Sequence, residues 1–421
     1  VDKWPADNVY GEGDTITIQV QFVETVRLTS GSMDATLNTT PANAVVNFNA
    51  PWAPTNFISV GYQVQAGYET ANLKVVSIGT SGGQIVDEAG NEMTDFTGFT
   101  NYPDGIVLDG VAPVVEITAP IANAHVNGDT IISFTDDDPN TPEVSLDNGL
   151  SWDTVTSGVT RLSDLSHFIA FSEGVEFTLS VRDVDAAGNE GIDAITLYKD
   201  TTPPSISNIS FTSNNPTYNT YARNGHIITL TFTTDNTGTT PSVQIAGNSV
   251  TPSGGPTDWT AAYTVSGLAD GDYGYAITLA DQAGNIATDT TSTGITVDNT
   301  APQVAEISSQ NDGGIYGVNA DINIRVTFNE PVILPSGRTI AMQLAGMSNQ
   351  VFINPFSNLD FVDSTYTVAP GDSTWGAELD ISNIWLNGGP MTDRAGNAQY
   401  TLVNPPVYNF AYNEDIYIDG V

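Results

Sequence analysis

From residue 15 to residue 22 the chain alternates, with Ile16, Ile18, Val20 and Phe22 on one face and Thr15, Thr17, Gln19 and Gln21 on the other. A period of two is the mark of a half-buried strand. The alternation returns in Ile322, Ile324, Val326 and Phe328, and more briefly over 130–134 and 227–233. Shorter apolar runs at 57–65, 73–78, 106–108, 143–146, 176–181, 194–198, 242–245, 273–279 and 294–297 read as further strands. No window carries a 3.6-residue period. The pattern predicts an all-β chain.

The turns between these strands repeat. Asp-x-Ala-Gly-Asn occurs at Asp87 to Asn91, Asp185 to Asn189, Asp281 to Asn285 and Asp393 to Asn397, at intervals of 98, 96 and 112 residues. One apolar run later an aspartate opens a linker: Asp109-Gly110-Val111-Ala112-Pro113, Asp200-Thr201-Thr202-Pro203-Pro204, Asp298-Asn299-Thr300-Ala301-Pro302 and Asp419-Gly420-Val421. The interval is the size of a small β-sandwich and too long for a solenoid repeat. Four tandem sandwiches are expected, at 1–111, 112–202, 203–300 and 301–421. The first and fourth share features the middle two lack. Tyr10-Gly11 stands before Phe22 as Tyr316-Gly317 stands before Phe328, and Tyr62-x-Val64-x-x-Gly67-x-x-Thr70 reappears as Tyr366-x-Val368-x-x-Gly371-x-x-Thr374.

With these turns and linkers the chain resembles the bacterial immunoglobulin-like repeats of large calcium-binding surface adhesins and some surface-layer proteins, where Asp-x-x-Gly-Asn turns and Asp-x-Thr-Ala-Pro linkers recur. The resemblance implies immunoglobulin-like β-sandwiches standing end to end as an elongated rod, outside the cell, often with calcium at the junctions.

The residues themselves admit two readings. Glycine suits a left-handed turn position and aspartate closes an Asx-turn, so tight hairpins with solvated charges would explain the motif alone. In an immunoglobulin-like sandwich, however, the loop between the last two strands and the loop after the second strand share the pole where the chain enters. Each second strand is expected to end at a Phe followed by an acid: Phe22 and Glu24, Phe134 and Asp136, Phe232 and Asp235, Phe328 and Glu330. Three junction sets follow: Asp109, Asp136, Asp185 and Asn189; Asp200, Asp235, Asp281 and Asn285; Asp298, Glu330, Asp393 and Asn397. Their carboxylates and amide oxygens suit calcium, which takes 6 to 8 hard oxygen ligands, better than magnesium.

Charge sharpens this picture. Ten Lys and Arg stand against 49 Asp and Glu, a net charge of -39, which argues against nucleic acid or an anionic membrane as partner. Divalent cations and a salt-adapted exterior are both consistent with it. There is no cysteine, so disulfides and thiolate sites are excluded. No apolar run approaches the ~20 residues of a membrane span, and a soluble segment with any anchor elsewhere is expected. His125, His167 and His226 show no zinc-ligand spacing, and no Gly-x-Ser-x-Gly elbow or phosphate loop occurs, so no enzyme is expected. Ser145-x-Asp147-x-Gly149-x-Ser151-Trp152 resembles the Asp-box of sialidase propellers but occurs once, which favours a hairpin.

Two functions remain: a calcium-stiffened adhesive stalk, surface-layer or filament subunit, possibly with a cell-surface or glycan ligand; or the non-catalytic part of a secreted carbohydrate-active enzyme, with Trp52, Trp259 or Trp375 in a sugar platform. The two ends complement each other. Asp419 has no repeat behind it, and Glu24, Asp87 and Asn91 have no linker aspartate before them. Head-to-tail joining of copies, or flanking repeats of a longer chain, would supply both, bringing Asp419 to Glu24, Asp87 and Asn91 around a fourth cation, with residues 416–418 leading the next subunit into place.

Overall fold

The computed structural model describes residues 9–99, 105–235, 237–405, 409–413 and 415–421. It is nearly all β. Among the described residues the helical segments are the short turns Leu162–Asp164, Phe168–Ala170 and Phe410–Asn413. The chain forms two compact units, Val1–Thr202 and Pro203–Val421, and each unit holds two separate hydrophobic cores.

In the first unit, Thr15–Leu28 pairs antiparallel with Thr55–Gln63, and its alternation buries Ile16 while Gln19 and Gln21 face water. A second layer sets Ser32–Leu37 between Val45–Asn49 and Val75–Ser81. Leu28, Met33, Leu37, Phe48 and Ile85 fill the space between. The next core is covered by a five-stranded sheet whose long hairpin, Glu176–Val184 with Glu190–Lys199, turns at Asp185 to Asn189. In the second unit the hairpin Gly271–Ala280 with Ile286–Val297 repeats that arrangement. The last core again has a long strand, Asp321–Leu334, and a layer with Thr339–Leu344 between Gln350–Ile353 and Ile381–Asn387. Ile322, Ile324 and Val326 are wholly buried in it, each such side chain contributing about 1.5–3 kcal/mol relative to exposure.

One device recurs in all four repeats. A short strand near the start pairs parallel with the last strand: Val9–Tyr10 with Val107–Asp109, His125–Val126 with Glu190–Lys199, Tyr221–Ala222 with Ile286–Val297, and Gly314–Tyr316 with Ile416–Ile418. The linker aspartate follows the last paired residue, and its N–H bonds back to the early strand in Asp200 to Val126, Asp298 to Ala222 and Asp419 to Tyr316.

Two expectations are corrected. The second strand does not end at Phe22 or Phe328; it runs on to Leu28 and Leu334, with register breaks between Gln21 and Val26 and between Thr327 and Val332. Glu24 and Glu330 therefore sit on bulges inside a strand. A bulge leaves its residues out of the ladder and re-aims their side chains. Residues 416–418 are not a free leading strand either, because Ile416 and Ile418 are buried in the fourth core.

Candidate functional site

All four recurring turns have the same geometry. The Gly residues 90, 188, 284 and 396 have φ of 89°, 89°, 88° and 90°, which only a residue without Cβ adopts freely. The Asn backbone N–H donates to one carboxylate oxygen of the Asp, at 2.7 Å in Asn91, 2.9 Å in Asn189, 2.9 Å in Asn285 and 2.9 Å in Asn397. The Asn side-chain amide donates to the other oxygen, at 2.7, 2.6, 2.9 and 2.7 Å in the same order. The sequence thus folds one rigid hairpin that holds a bidentate carboxylate.

In the second unit this hairpin meets a linker. Asp298, Glu330 and Asp393 bring one carboxylate oxygen each within 4.8 Å of one another. Asp393 is 1% exposed. Burial, then the charges of Asp298 and Asp393, push Glu330 up to about 8. Burial also raises Asp393 above the usual range, against the hydrogen bonds from Asn397, whereas in the open first turn the same bonds hold Asp87 below it. Asn397 Nδ2 also donates to the Asp298 carbonyl at 2.9 Å. Asp270, unremarked in the sequence, braces the linker by accepting from Asn299 N–H at 2.7 Å and Thr300 Oγ1 at 2.6 Å.

The first unit has a looser version. Asn189 is buried; its Nδ2 donates to the Asp109 carbonyl at 2.7 Å, and its Oδ1 accepts the Glu12 N–H at 2.7 Å. Its amide oxygen is thus spent on backbone. Burial raises Asp109 above the usual carboxylate range, with Asp185, Glu69 and Asp138 adding to it. Asp136 Oδ2 is buried without a partner among the described residues. So is Asp183 Oδ2, on a residue 2% exposed, raised by burial and then by Asp136, Asp138 and Asp185. Sequence reasoning missed Asp183, although its signal was present. It stands two residues before the turn, where the other repeats place Ile85, Leu279 and Met391 in their cores.

The remaining sequence-derived residues are described within their own units. Asp200 lies in the first unit, where its Oδ1 accepts the Thr202 N–H at 3.3 Å and its Oδ2 is 4.0 Å from His125 Nδ1. In the second unit both oxygens of Asp235 are engaged by Ser205, through N–H at 2.6 Å and Oγ at 2.8 Å, and Asp281 holds Asn285. Glu24 and Asn91 are exposed and Asp87 is half-buried; all three line one cleft of about 350 Å³ with Phe22, Met93 and Phe96. Asp419 is exposed at the end of the fourth repeat.

Other chemistry is accounted for by packing. Trp52 and Trp259 are each 8% exposed and belong to cores, leaving Trp375, at 81%, as the exposed member of the expected platform. Asp147 closes its hairpin by accepting from Ser151 N–H at 2.9 Å, Ser151 Oγ at 2.7 Å and Ser145 Oγ at 2.8 Å. His167 Nδ1 lies 3.3 Å from Ser151 Oγ. Ser151 Oγ also donates to Asp147, so the trio closes a turn.

The donors at Asp298, Glu330 and Asp393 fit a hard cation. They are carboxylate oxygens only. Ligands at about 2.4 Å on opposite sides of a calcium ion are about 4.8 Å apart, the limit within which these oxygens lie. Three negative charges at that spacing, one on a fully buried residue, repel unless protonated or neutralised.

Residues 257–333 match the model of the bacterial Ig-like domain (group 3). That match runs from strand Asp258–Thr264 through the Asp281 turn and the Asp298 linker to the end of Asp321–Leu334, taking in Asp298 and Glu330. No curated protein matches the chain. Among solved structures it is similar to one concerned with host cell surface retention of a 1.5-MDa bacterial ice-binding adhesin, at 15% identity over 69% of this chain and 96% of that one, with a TM-score of 0.27. It is likewise similar to a tetra-tandem repeat from the extending region of a large adhesion protein, at 16% identity over 94% and 95%, TM-score 0.27. A third likeness, to the SGBP-B protein of the Bacteroides ovatus mixed-linkage glucan locus, has 14% identity over 73% and 70%, TM-score 0.16. The similarity to this family covers residues 257–333, the end of the third repeat and the start of the fourth, and the turn and linker within it recur elsewhere in the chain.

Proposed function

We propose that this chain is a stalk of tandem immunoglobulin-like domains from a bacterial surface adhesin, and that calcium stiffens its joints. The observation that carries the reading is the convergence of Asp298, Glu330 and Asp393, three carboxylates from a linker, a strand bulge and a hairpin turn. Each element alone has no use for a cation. Together they place like charges where solvent is largely excluded, a cost that a bound divalent cation removes. Asp136 and Asp183, each with a buried oxygen lacking a partner among the described residues, give the first unit a related site. The matched bacterial family and the net charge of -39 agree with an exterior protein that lives with divalent cations.

The residues would hold the ion through carboxylate oxygens, with backbone carbonyls and water completing the shell; the ion would supply charge neutralisation and a fixed angle at the joint. The Asn397 and Asn189 clamps on the linker carbonyls set the chain path independently of it. Titration calorimetry with calcium tests the reading, comparing the full chain with Glu330→Gln and Asp393→Asn. Binding is expected, with one class of site lost in both variants. If the heat of titration is the same in all three proteins, the cluster is not a calcium site.

A further inference from the structure

The fourth repeat carries an apolar edge on its flank. Strand Phe356–Thr367 pairs with Asp321–Leu334 and, among the described residues, with no other strand. Residues of that strand and of Gln350–Ile353 line a groove of about 420 Å³ whose apolar walls are Phe352, Phe356, Leu359 and Phe361. Phe352, Leu359 and Phe361 are 48%, 44% and 41% exposed, with the third repeat in place before them. Phe361 is held ready for contact. The Arg325 guanidinium lies 4.0 Å from its ring centre and is itself fixed by two 2.8 Å hydrogen bonds to Asp363. One face of the ring is thus covered, and its exposed area lies on the other face and the rim.

The first repeat shows that the fold does not require this edge to be apolar. Its strands keep the same register, so Thr55, opposite Val26, stands where Leu359 stands opposite Val332. Asn47, opposite Asp34, stands where Phe352 stands opposite Ala341. Gln19 and Ser59 take the places of Arg325 and Asp363, and Phe57 alone is shared with Phe361. A largely polar edge therefore serves the same sandwich. The apolar one exposes large side chains at a cost that an occupant would remove.

Charge and hydrogen bonding narrow the occupant. Open strand edges are commonly blunted with Lys or Pro, and Phe356–Thr367 has neither; its charges are Asp360 and Asp363. Two acids on the edge repel another copy of this chain, which has 49 acidic against 10 basic residues, and attract a basic segment. The polar groups of the groove are largely spent, both Asp363 oxygens on Arg325 and Ser364 Oγ on the Phe352 carbonyl at 3.1 Å. Sugar hydroxyls would find few partners there. An extended peptide brings backbone groups for the open ladder and alternate side chains for the groove. We propose that the open edge of Phe356–Thr367 receives an extended, basic and apolar segment of a partner protein as an added strand, its apolar side chains set against Phe352, Leu359 and Phe361. This assigns the stalk a docking surface and does not depend on the cation.

Hydrogen exchange of the full chain, with and without a synthetic peptide of the strand's own length, 12 residues alternating lysine and valine, tests it. The peptide should slow alternate amides of Phe356–Thr367, those facing the open edge. Any polycation is drawn to a net charge of -39, so the deciding variant changes no charge: Phe352→Asn with Leu359→Thr, the residues the first repeat carries at these places. It should weaken peptide binding about tenfold. Circular dichroism checks its fold, and Leu359→Thr alone replaces it if the pair unfolds the repeat. A peptide alternating glutamate and valine should leave the strand unprotected. The proposal is overturned if the lysine peptide leaves the exchange of this strand unchanged, if it protects the folded variant equally, or if the glutamate peptide protects the strand as well. It is also overturned if a neutral gluco-oligosaccharide, and not the peptide, protects the strand.

Discussion

Without a cation, the fourth repeat should lose stability as pH rises from 5 to 8. Glu330 is displaced from 4.5 up to about 8, by burial and by the charges of Asp298 and Asp393. Between those values the folded protein keeps a proton that the unfolded chain has released. The stabilisation is therefore complete below the unfolded value and is lost as pH rises through the folded one. A displacement of about 3.5 pH units, at about 1.4 kcal/mol each, sets a ceiling of roughly 5 kcal/mol. Partial solvent access reduces this to roughly 2–3 kcal/mol. For a domain of about 100 residues that is a fall in Tm of about 10–20 °C.

Thermal unfolding in chelator, followed at pH 5, 6, 7 and 8, reads the effect. His226 pulls the other way, since burial and then Arg223 lower it, so its stabilisation is present at high pH and lost on acidification. Glu330→Gln removes the Glu330 contribution and leaves those of the histidine and of the raised carboxylates Asp393, Asp109 and Asp183. Saturating calcium should flatten the profile of the unaltered chain, because the ion replaces the proton. A slope in the unaltered chain equal to that of Glu330→Gln would refute the raised Glu330.

Three further outcomes are expected. Asn397→Ala removes the donor to the Asp298 carbonyl and to Asp393 Oδ2; it should cost about 1–3 kcal/mol and speed amide hydrogen exchange at Thr300, whose N–H bonds to Asp298. Gly11→Val sets a Cβ 2.3 Å from the Ala187 carbonyl oxygen, so it should part the first two repeats without unfolding either, seen as faster exchange at the Glu12 N–H with both cores still protected. Deleting residues 416–421 takes Ile416 and Ile418 from the fourth core and a strand from its edge; near-ultraviolet circular dichroism should show that repeat unfolded.

Much of this fold is legible in the chain because the local signals agree. Alternation at Ile322, Ile324 and Val326 marks a strand, and Asp-x-Ala-Gly-Asn marks a hairpin whose glycine needs positive φ. Where sequence reasoning went astray, a local feature was set by tertiary pairing. The bulges holding Glu24 and Glu330 look like strand ends, because a break in alternation and the end of a strand read alike in one dimension. Ile416 to Ile418 resembles a free terminal strand until its parallel partner, about 100 residues earlier, is known. Asp183 was legible in principle, as an acid in core register, but it does not belong to the recurring motif that drew the eye.

The same turn plays two parts at the joints, and its two residues divide them. The asparagine works on backbone: Asn189 and Asn397 hold the Asp109 and Asp298 carbonyls, a contact indifferent to pH and salt. The aspartate works on charge, and what surrounds it decides the result. With Asp87 only half-buried, hydrogen bonds dominate and the carboxylate stays easily ionised. With Asp393 buried beside Asp298 and Glu330, desolvation overcomes the same hydrogen bonds. An identical motif thus holds an easily ionised carboxylate in the first repeat and a buried one in the fourth, where a linker and a strand bulge bring two more carboxylates to it. The difference between the turns lies in what packs on them, which is why the repeat can be copied along the chain while its chemistry appears only at junctions.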